Sequence, residues 1–194
     1  FDRAYAPAPI TLPSHATMLT GLYPPSHGVR HNGIPLGPDL PTLATVLAAQ
    51  GFQTAAFVAA FPLDRRFGLS RGFDVYDDRL GRGSDGRQHD ERPGAAVVDA
   101  ATEWLRRRRE GRFFLWIHLF EPHAPYGRPA SSGERSVQDR YDDDIAEADR
   151  QVGRLLERLE PVRGETLVIF AADHGEAFGE HGEVAHSIFV YDTT

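Results

Sequence analysis

The chain has 194 residues, with 28 acidic and 21 basic side chains and a formal net charge of −7. This charge argues against nucleic-acid binding, because affinity for polyphosphates comes from a basic surface. Every basic residue is arginine and no cysteine is present, which excludes lysine Schiff bases, disulfides, thiolate zinc sites and cysteine nucleophiles. No apolar run reaches the roughly 18 residues of a membrane span, so the composition indicates a globular domain.

Helices and strands are predicted to alternate along the chain. Apolar runs rich in β-branched and aromatic residues predict buried strands, and apolar residues spaced three and four apart predict helices. In chain order the predicted elements are a helix that continues to Leu19 and ends at Gly21, a helix over Pro41–Gln50, a strand over Gln53–Val58, a helix over Pro93–Arg109, a strand over Phe113–Leu119, a helix over Tyr141–Leu159 and a strand over Thr166–Ala171. Polar segments over Asp77–Arg92 and Gly127–Arg140 are predicted to be surface loops. This order is typical of a layered α/β sheet.

Ionisable residues follow the last predicted strand. Asp173 and His174 come one residue after Thr166–Ala171, and ligands of α/β folds bind at the carboxyl ends of the strands. A neighbouring carboxylate and imidazole can coordinate one cation, and His181 and His186 add further donors. The alternative is a solvated turn in which Asp173 caps a helix. The clustered glycines and ionisable side chains favour a metal or anion site.

A second candidate segment runs from Thr11 to Gly21. Pro13 suits the first turn of a helix, so Thr11 would lie just ahead of the helix N-terminus. Free N–H groups there attract an anion, and a hydroxyl there can become a nucleophile. The pattern by itself favours the alternative, in which Thr11 is an ordinary helix cap.

Two histidines lie at the end of the middle predicted strand. Pro122 and Pro125 stiffen the loop that carries His123, so its imidazole would be aimed, and it is a candidate anion contact. The alternative is a hydrogen bond from His123 to the loop's own backbone. His118 falls inside the predicted strand and is interpreted as a core histidine.

These segments, in this order, resemble the sulfatase branch of the alkaline phosphatase superfamily. Thr11–Gly21 resembles the nucleophile signature of that family, which reads Cys or Ser, any residue, Pro, a small residue and Arg, followed by Thr-Gly. Three further segments resemble later blocks of the family, namely Phe113–Tyr126, the helix that contains Asp149, Val152 and Gly153, and Thr166–Glu183. The resemblance implies a three-layer αβα sandwich with a mostly parallel mixed central sheet. It also implies a partial catalytic domain over residues 1–194, incomplete at both ends.

The resemblance implies a role for each matching side chain. Thr11 holds the position of the nucleophile, and His15 replaces the arginine that braces it. Asp173 and His174 hold positions of metal ligands, on a cation that the Thr11 oxygen also binds. His123 holds the position of an anion contact, and His186 lies beside the leaving group. The implied cofactor is a divalent cation (Ca, Mg, Mn or Zn). The implied substrate is a small-molecule, glycan or lipid anionic ester. Compartment and oligomeric state are not indicated.

Thr11 departs from the family pattern in a way that bears on the reaction. True sulfatases oxidise the nucleophile side chain to an aldehyde, whereas threonine carries a methyl group on that carbon and would give a ketone. A threonine phosphate ester is the usual intermediate of phosphate-cleaving relatives, so the chemistry leans toward phosphate esters. The Gly-Lys-Trp motif of the family is also replaced, by Phe57–Phe61. The alternatives are a transferase of phosphoethanolamine or phosphoglycerol type, and a catalytically inactive fragment.

Overall fold

The computed structural model describes residues 4–81, 90–127 and 135–188. Its helices are α1 (Thr11–Thr20), α2 (Pro24–His27), α3 (Leu43–Ala49), α4 (Gly94–Arg107) and α5 (Val137–Leu159), and its strands are β1 (Gln53–Phe57), β2 (Val75–Asp77) and β3 (Phe113–Ile117). Short 3₁₀ turns cover Phe61–Leu63, Arg65–Phe67, Glu160–Glu165 and Glu180–Gly182. No helix in these ranges is both long and apolar enough to cross a membrane.

The described strands form one parallel sheet in the order β2-β1-β3. Ala55 of β1 is in register with Val75 of β2 on one side and with Leu115 of β3 on the other. Parallel neighbours need a crossover connection, and α4 lies on the crossover from β2 to β3. The sheet is therefore the parallel α/β arrangement that the alternation of helices and strands predicts. One isolated antiparallel bridge joins Ala60 to Glu91.

Helices cover both faces of the sheet, because side chains of each strand alternate between the two faces. One face packs against α1, through a cluster that includes Leu12, Ala16, Leu19, Ala56, Val58, Phe114 and Trp116. The other face packs against α4, through Ala55, Phe57, Val97, Ala101, Trp104, Leu115 and Ile117. Helix α5 packs against α4, where Arg154 lies 2.5 Å from Asp99. These layers form the predicted αβα sandwich.

The ends of the predicted surface loop Asp77–Arg92 are buried. Asp77 ends β2 and is paired with the buried Arg92, with 3.1 Å between Nη1 and Oδ1, and Asp78 is paired with Arg65. The prediction is wrong for these residues because arginine partners and β2 allow the carboxylates to be buried. Residues 82–89 lie outside the described part of the chain.

The other predicted loop, Gly127–Arg140, gives way to α5 at Val137. The side chain of Ser136 accepts a hydrogen bond from the Asp139 N–H, and the Asp139 carboxylate accepts one from the Ser136 N–H. This capping box starts the helix four residues before the predicted start at Tyr141. Residues 128–134 of that loop are not among the described residues.

The predicted strand over Thr166–Ala171 is not formed. The segment joins no ladder in the described residues, and Leu167, Ile169 and Phe170 are 84%, 78% and 72% exposed. The β-branched and aromatic residues of this segment favour a strand where they can pack on a pleated, half-buried surface. No described strand provides that surface beside it, so the preference alone does not produce a strand.

Candidate active site

Helix α1 lies against the segment that carries Asp173. The Ser14 hydroxyl donates a hydrogen bond of 2.6 Å to the Asp173 main-chain oxygen, and His15 Nε2 lies 3.4 Å from Asp173 Oδ2. Thr11 begins the helix, four residues before His15. Residues four apart share a helix face, and helical side chains lean toward the N-terminus. The structure therefore brings the helix face of Thr11 and His15 to Asp173.

The ends of α1 are defined by its backbone. Ile10 occupies the N-cap position without a side-chain cap, so Thr11 is the first helical residue and not the cap of the alternative reading. Gly21 ends the helix at φ 71°, in the left-handed region that glycine adopts without strain, and its N–H bonds to the Thr17 oxygen. The Leu12 N–H donates to Asn32 Oδ1 at 2.9 Å. These contacts fix the first turn, where Thr11 is 6% exposed.

His15 and His118 form a buried cluster with Asp173, in which one donor atom of each residue lies within 4.8 Å of the others. The rings of His15 and His118 meet edge to face with centroids 5.0 Å apart. Both ring nitrogens of His15 are buried without a hydrogen-bond partner in the described structure. Unpaired buried polar atoms are costly, so this environment fits a ligand that the imidazole would bind.

His118 is buried and hydrogen-bonded, as the core interpretation predicts, since its Nδ1 accepts from the Ala59 N–H at 3.3 Å. It also borders the candidate site, which the sequence reasoning missed. The available signal was its position one residue beyond β3, at the carboxyl end of a strand of the parallel sheet.

The electrostatics of this cluster favour a cation. Burial lowers the pKa of His118 to about 3, so its ring is neutral at physiological pH. Burial by itself would raise the pKa of Asp173, but the adjacent imidazoles, His15 first among them, outweigh burial and lower that pKa. Asp173 is therefore an ionised carboxylate in a partly buried position, which is an arrangement suited to a divalent ion.

His174 is oriented as a metal ligand would be. Its Nδ1 lies 2.8 Å from the Gly175 oxygen, and a carbonyl oxygen can only accept, so Nδ1 carries the proton. The remaining nitrogen, Nε2, lies 3.5 Å from Asp173 Oδ2. A backbone bond at Nδ1 commonly leaves Nε2 free for a metal. Asp173 caps none of the described helices, and the donors around it fit a divalent cation.

His186 and His123 lie on the other side of His174. The His186 ring centroid is 4.1 Å from that of His174 and 5.2 Å from that of His123. His186 Nδ1 lies 3.1 Å from Glu176 Oε1, and the Tyr126 hydroxyl donates to Glu176 Oε2 at 2.6 Å. Burial would raise the pKa of Glu176, but the hydrogen bonds from His186 and Tyr126 lower it. The structure thus groups the predicted residues His123, His174 and His186.

The backbone alternative for His123 is also found. Its Nδ1 donates to the Ala124 oxygen at 2.7 Å, and burial lowers the pKa of the His123 ring. Because Nδ1 is used by the loop, Nε2 is the nitrogen left for a ligand. Glu176, which the sequence reasoning did not select, orients His186, and the signal for it was its place in the ionisable run after Asp173.

A family model described as Sulfatase matches residues 1–189. The chain belongs to the sulfatase family. Among curated relatives, mouse steryl-sulfatase is 38% identical over 45% of this chain and 15% of its own length, and human iduronate 2-sulfatase is 40% identical over 49% of this chain and 17% of its own length. The Escherichia coli protein named uncharacterized sulfatase YidJ is 21% identical over 99% of this chain and 53% of its own length. The chain thus spans about half of YidJ, and the matches to the other two cover less.

Solved structures share the fold. The phosphonate monoester hydrolase of Agrobacterium radiobacter superposes with a TM-score of 0.73 at 20% identity, over 97% of this chain and 58% of that chain. A 2-O GAG sulfatase superposes with the same TM-score at 19% identity, over 100% of this chain and 54% of that chain. The predicted family and the predicted αβα architecture are confirmed.

Proposed function

We propose that this chain carries the active site of a sulfatase-family hydrolase that cleaves anionic esters through a covalent Thr11 intermediate, with phosphate esters preferred to sulfate esters. One observation supports the proposal above the others. The helix that begins with Thr11 is attached to Asp173 by the Ser14 hydrogen bond of 2.6 Å and by the His15 contact of 3.4 Å. This attachment supports one site for a nucleophile candidate and a metal-ligand candidate that are remote in sequence.

In the proposed reaction the Thr11 oxygen attacks the phosphorus of the ester. A bond forms between phosphorus and Thr11 Oγ1, the bond from phosphorus to the leaving oxygen breaks, and the Thr11 proton is lost to solvent. Water then attacks the phosphothreonine, which releases phosphate and restores the hydroxyl. Backbone N–H groups in the first turn of α1 have no helical acceptor and stabilise anionic oxygens near Thr11.

Asp173 and His174, with the Thr11 oxygen, would hold the divalent cation. When bound, such a cation lowers the pKa of a neighbouring hydroxyl and offsets charge on the non-bridging oxygens. The buried, unpaired nitrogens of His15 support the presence of an additional ligand in this region. His15 also fills the space beside Asp173 where the family pattern has an arginine.

His186 is proposed to donate a proton to the leaving oxygen. Glu176 accepts from its Nδ1 and so presents Nε2 to the substrate. His123, in ring contact with His186, would orient the ester through its own Nε2. Such proton donation is typically worth about 10²–10⁴-fold in rate.

The preference for phosphate rests on the chemistry of threonine alone. The curated relatives named above are sulfatases and do not support it. The methyl group of Thr11 prevents the oxidation to an aldehyde on which expulsion of sulfate depends. A phosphothreonine needs only attack by water. A solved neighbour in complex with D-glucosamine-2-N,6-O-disulfate, at 25% identity and a TM-score of 0.52 over 65% of this chain and 28% of that chain, supports a glycan as one class of anionic substrate.

A transferase is the second candidate. The Haloferax volcanii protein named low-salt glycan biosynthesis sulfotransferase Agl7 is 25% identical over 94% of this chain and 42% of its own length. In a transferase an alcohol acceptor, in place of water, would resolve the intermediate on Thr11. Turnover that depends on an added glycan or lipid alcohol would distinguish this candidate from the hydrolase.

The test compares Thr11→Ala with Thr11→Ser in the full-length protein, on nitrophenyl phosphate and nitrophenyl sulfate. We expect Thr11→Ala to reduce cleavage to background without changing the melting temperature, because the nucleophilic hydroxyl is lost while the rest of α1 is kept. Thr11→Ser keeps a hydroxyl and should retain turnover. Wild-type protein quenched during turnover should carry phosphate on Thr11 by peptide mass spectrometry. Turnover by Thr11→Ala would reject Thr11 as the nucleophile, and faster cleavage of the sulfate would reject the preference for phosphate.

A further inference from the structure

A cleft of about 600 Å³ lies between the segments that follow strands β1 and β2. It is named the arginine cleft after Arg65 and Arg66, which belong to a 3₁₀ turn after β1, and Arg79, which lies two residues beyond β2. All three side chains are more than half exposed. The chain as a whole has a net charge of −7, so the basic character of the cleft is a local feature.

One edge of each guanidinium in the arginine cleft is held by a buried aspartate. Each arginine donates through Nε and Nη2 to one carboxylate, and the pairs are Arg65 with Asp78, Arg66 with Asp64 and Arg79 with Asp77. No described residue accepts a hydrogen bond from Nη1 of any of these arginines. Each Nη1 carries two N–H donors, so the arginines are fixed in position and still have donors free for a ligand.

The ion pairs of the arginine cleft leave a surplus of positive charge. The buried Arg92 shares Asp77 with Arg79, so four guanidinium groups face three carboxylates. One positive charge therefore remains even when every aspartate is ionised. Arginine is suited to phosphate and similar oxyanions, because its planar fork of donors matches their oxygens. The fixed guanidiniums, the free Nη1 donors and the surplus charge together favour an anion as the ligand.

The arginine cleft and the candidate active site share one edge of the sheet. Strand β2 ends at Asp77 and β3 ends one residue before His118, and parallel strands place their carboxyl ends at the same edge. Consecutive residues after β1 connect the two places. The Val58 oxygen accepts from Arg92 Nε at 3.0 Å, and the Ala59 N–H donates to His118 Nδ1 at 3.3 Å. A ligand that extends along this edge would contact both.

We propose that the arginine cleft binds a second phosphate or sulfate group of the ester substrate, which makes the substrate an ester with two anionic groups. The identity of the ligand as substrate rests on the proposed function, whereas anion binding by the cleft does not depend on it. Pockets of about 300–1,000 Å³ hold ligands larger than a single oxyanion. The size of the cleft therefore suits an anionic group carried on a larger molecule such as a sugar.

The first measurement is calorimetry of the full-length protein with sodium phosphate and with sodium sulfate. Arg66→Gln and Arg79→Gln should each weaken one class of binding site about 10-fold, because a charged donor to the anion is lost. Both remove exposed ion pairs and should change the melting temperature little. Arg106→Gln is the matched control, since Arg106 is an exposed arginine paired with a glutamate on α4, outside the cleft.

The calorimetry can exclude the arginine cleft as an anion site. Phosphate bound at the candidate active site would form a separate class of site, which substitutions in the cleft do not remove. Equal affinities for both anions in wild type, Arg66→Gln and Arg79→Gln would overturn the proposal. Absence of saturable binding of both anions by wild type would overturn it as well.

The second measurement compares glucose 1,6-bisphosphate with glucose 1-phosphate by release of phosphate. The wild-type KM should be about 10-fold lower for the bisphosphate, because its second phosphate group gains charge-assisted hydrogen bonds in the cleft. Arg66→Gln and Arg79→Gln should reduce this difference in KM between the two esters. Arg106→Gln should keep it.

The outcomes separate the arginine cleft from the proposed function. Anion binding that depends on Arg66 and Arg79, in a protein that cleaves neither ester, would uphold the anion site and reject the proposed function. Loss of the KM difference in both variants would support the two proposals together. A KM difference that both variants kept, beside weakened binding of free phosphate, would restrict the cleft to free anions and reject its role in substrate binding.

Discussion

The Ser14 hydroxyl donates to the main-chain oxygen of Asp173 at 2.6 Å, across 159 positions of sequence. Ser14 is fully buried, and its neighbour His15 contacts the Asp173 side chain. Two adjacent residues of α1 therefore attach this helix to the segment that follows Ala171. These two parts of the chain form the two ends of the candidate site.

Removal of that hydroxyl should loosen the site. Ser14→Ala is expected to lower the free energy of unfolding by about 1–2 kcal/mol, because a partly buried hydrogen bond is lost and its carbonyl acceptor is left unpaired. Metal affinity should fall as well, since Asp173 loses a fixed contact. Ser26→Ala, at an exposed serine, is the control. Equal denaturant midpoints for the two variants would contradict the role assigned to Ser14.

The role of His186 can be tested through the leaving group. His186→Ala should reduce kcat by about 10²–10⁴-fold on an alkyl phosphate, whose alkoxide needs a proton. On nitrophenyl phosphate the reduction should be small, because nitrophenolate leaves without protonation. Rates measured on both esters decide the point, and an equal reduction on the two would reject proton donation by His186.

Two arginines share the Asp77 carboxylate but differ in burial. The side chain of Arg92 is 9% exposed and that of Arg79 is 80% exposed, while Asp77 itself is 5% exposed. Arg92→Ala should destabilise the protein by about 3 kcal/mol, since it leaves a buried charge with one partner fewer. Arg79→Ala should cost less than about 1 kcal/mol, as exposed ion pairs do. Chemical denaturation of both variants checks the prediction, which equal losses would refute.

Acid should destabilise the protein through the same region. Burial would raise the pKa of Asp78, but hydrogen bonds and charge from Arg65 outweigh burial and lower it. A folded-state pKa below the unfolded value of about 3.9 means that the unfolded chain binds more protons near that pH. The stabilisation is complete above about pH 5 and is lost as the pH falls through the folded pKa.

The measurement is the free energy of unfolding between about pH 6 and pH 3. Wild type should lose stability toward the acid end, and Asp78→Asn should show a shallower loss because that group no longer titrates. A variant slope as steep as that of wild type would assign the acid sensitivity to other carboxylates.

Local sequence patterns predicted the helices and strands that pack against other described parts of the chain. The buried strand β1, the half-buried strand β3 and the amphipathic helices α4 and α5 follow from apolar composition and periodicity, and Gly21 ends α1 where predicted. The short strand β2 was missed because Val75–Asp77 has only three residues and ends in an aspartate. Its place in the sheet depends on Arg65, Arg79 and Arg92, which neutralise the acidic end.

The candidate site was predicted through chemistry more than through periodicity. His123, His174 and His186 were selected from their positions after strands and from the family resemblance, and the structure groups their rings. His118 was missed as a neighbour of the site because a histidine beside an apolar strand has the same pattern whether it fills a core or borders a site. Only the packing of α1 against β3, through His15 and Trp116, separates the two cases.

Asp173 and His174 follow a segment that no described strand pairs with, since Leu167–Phe170 is exposed and forms no ladder. A ligand that binds Asp173 must therefore also restrain this stretch of backbone, and part of its intrinsic affinity offsets the lost conformational entropy. Ligand binding should in turn order this stretch of backbone. Occupancy of the site should slow amide hydrogen exchange from Leu167 onward, well beyond the atoms that the ligand contacts.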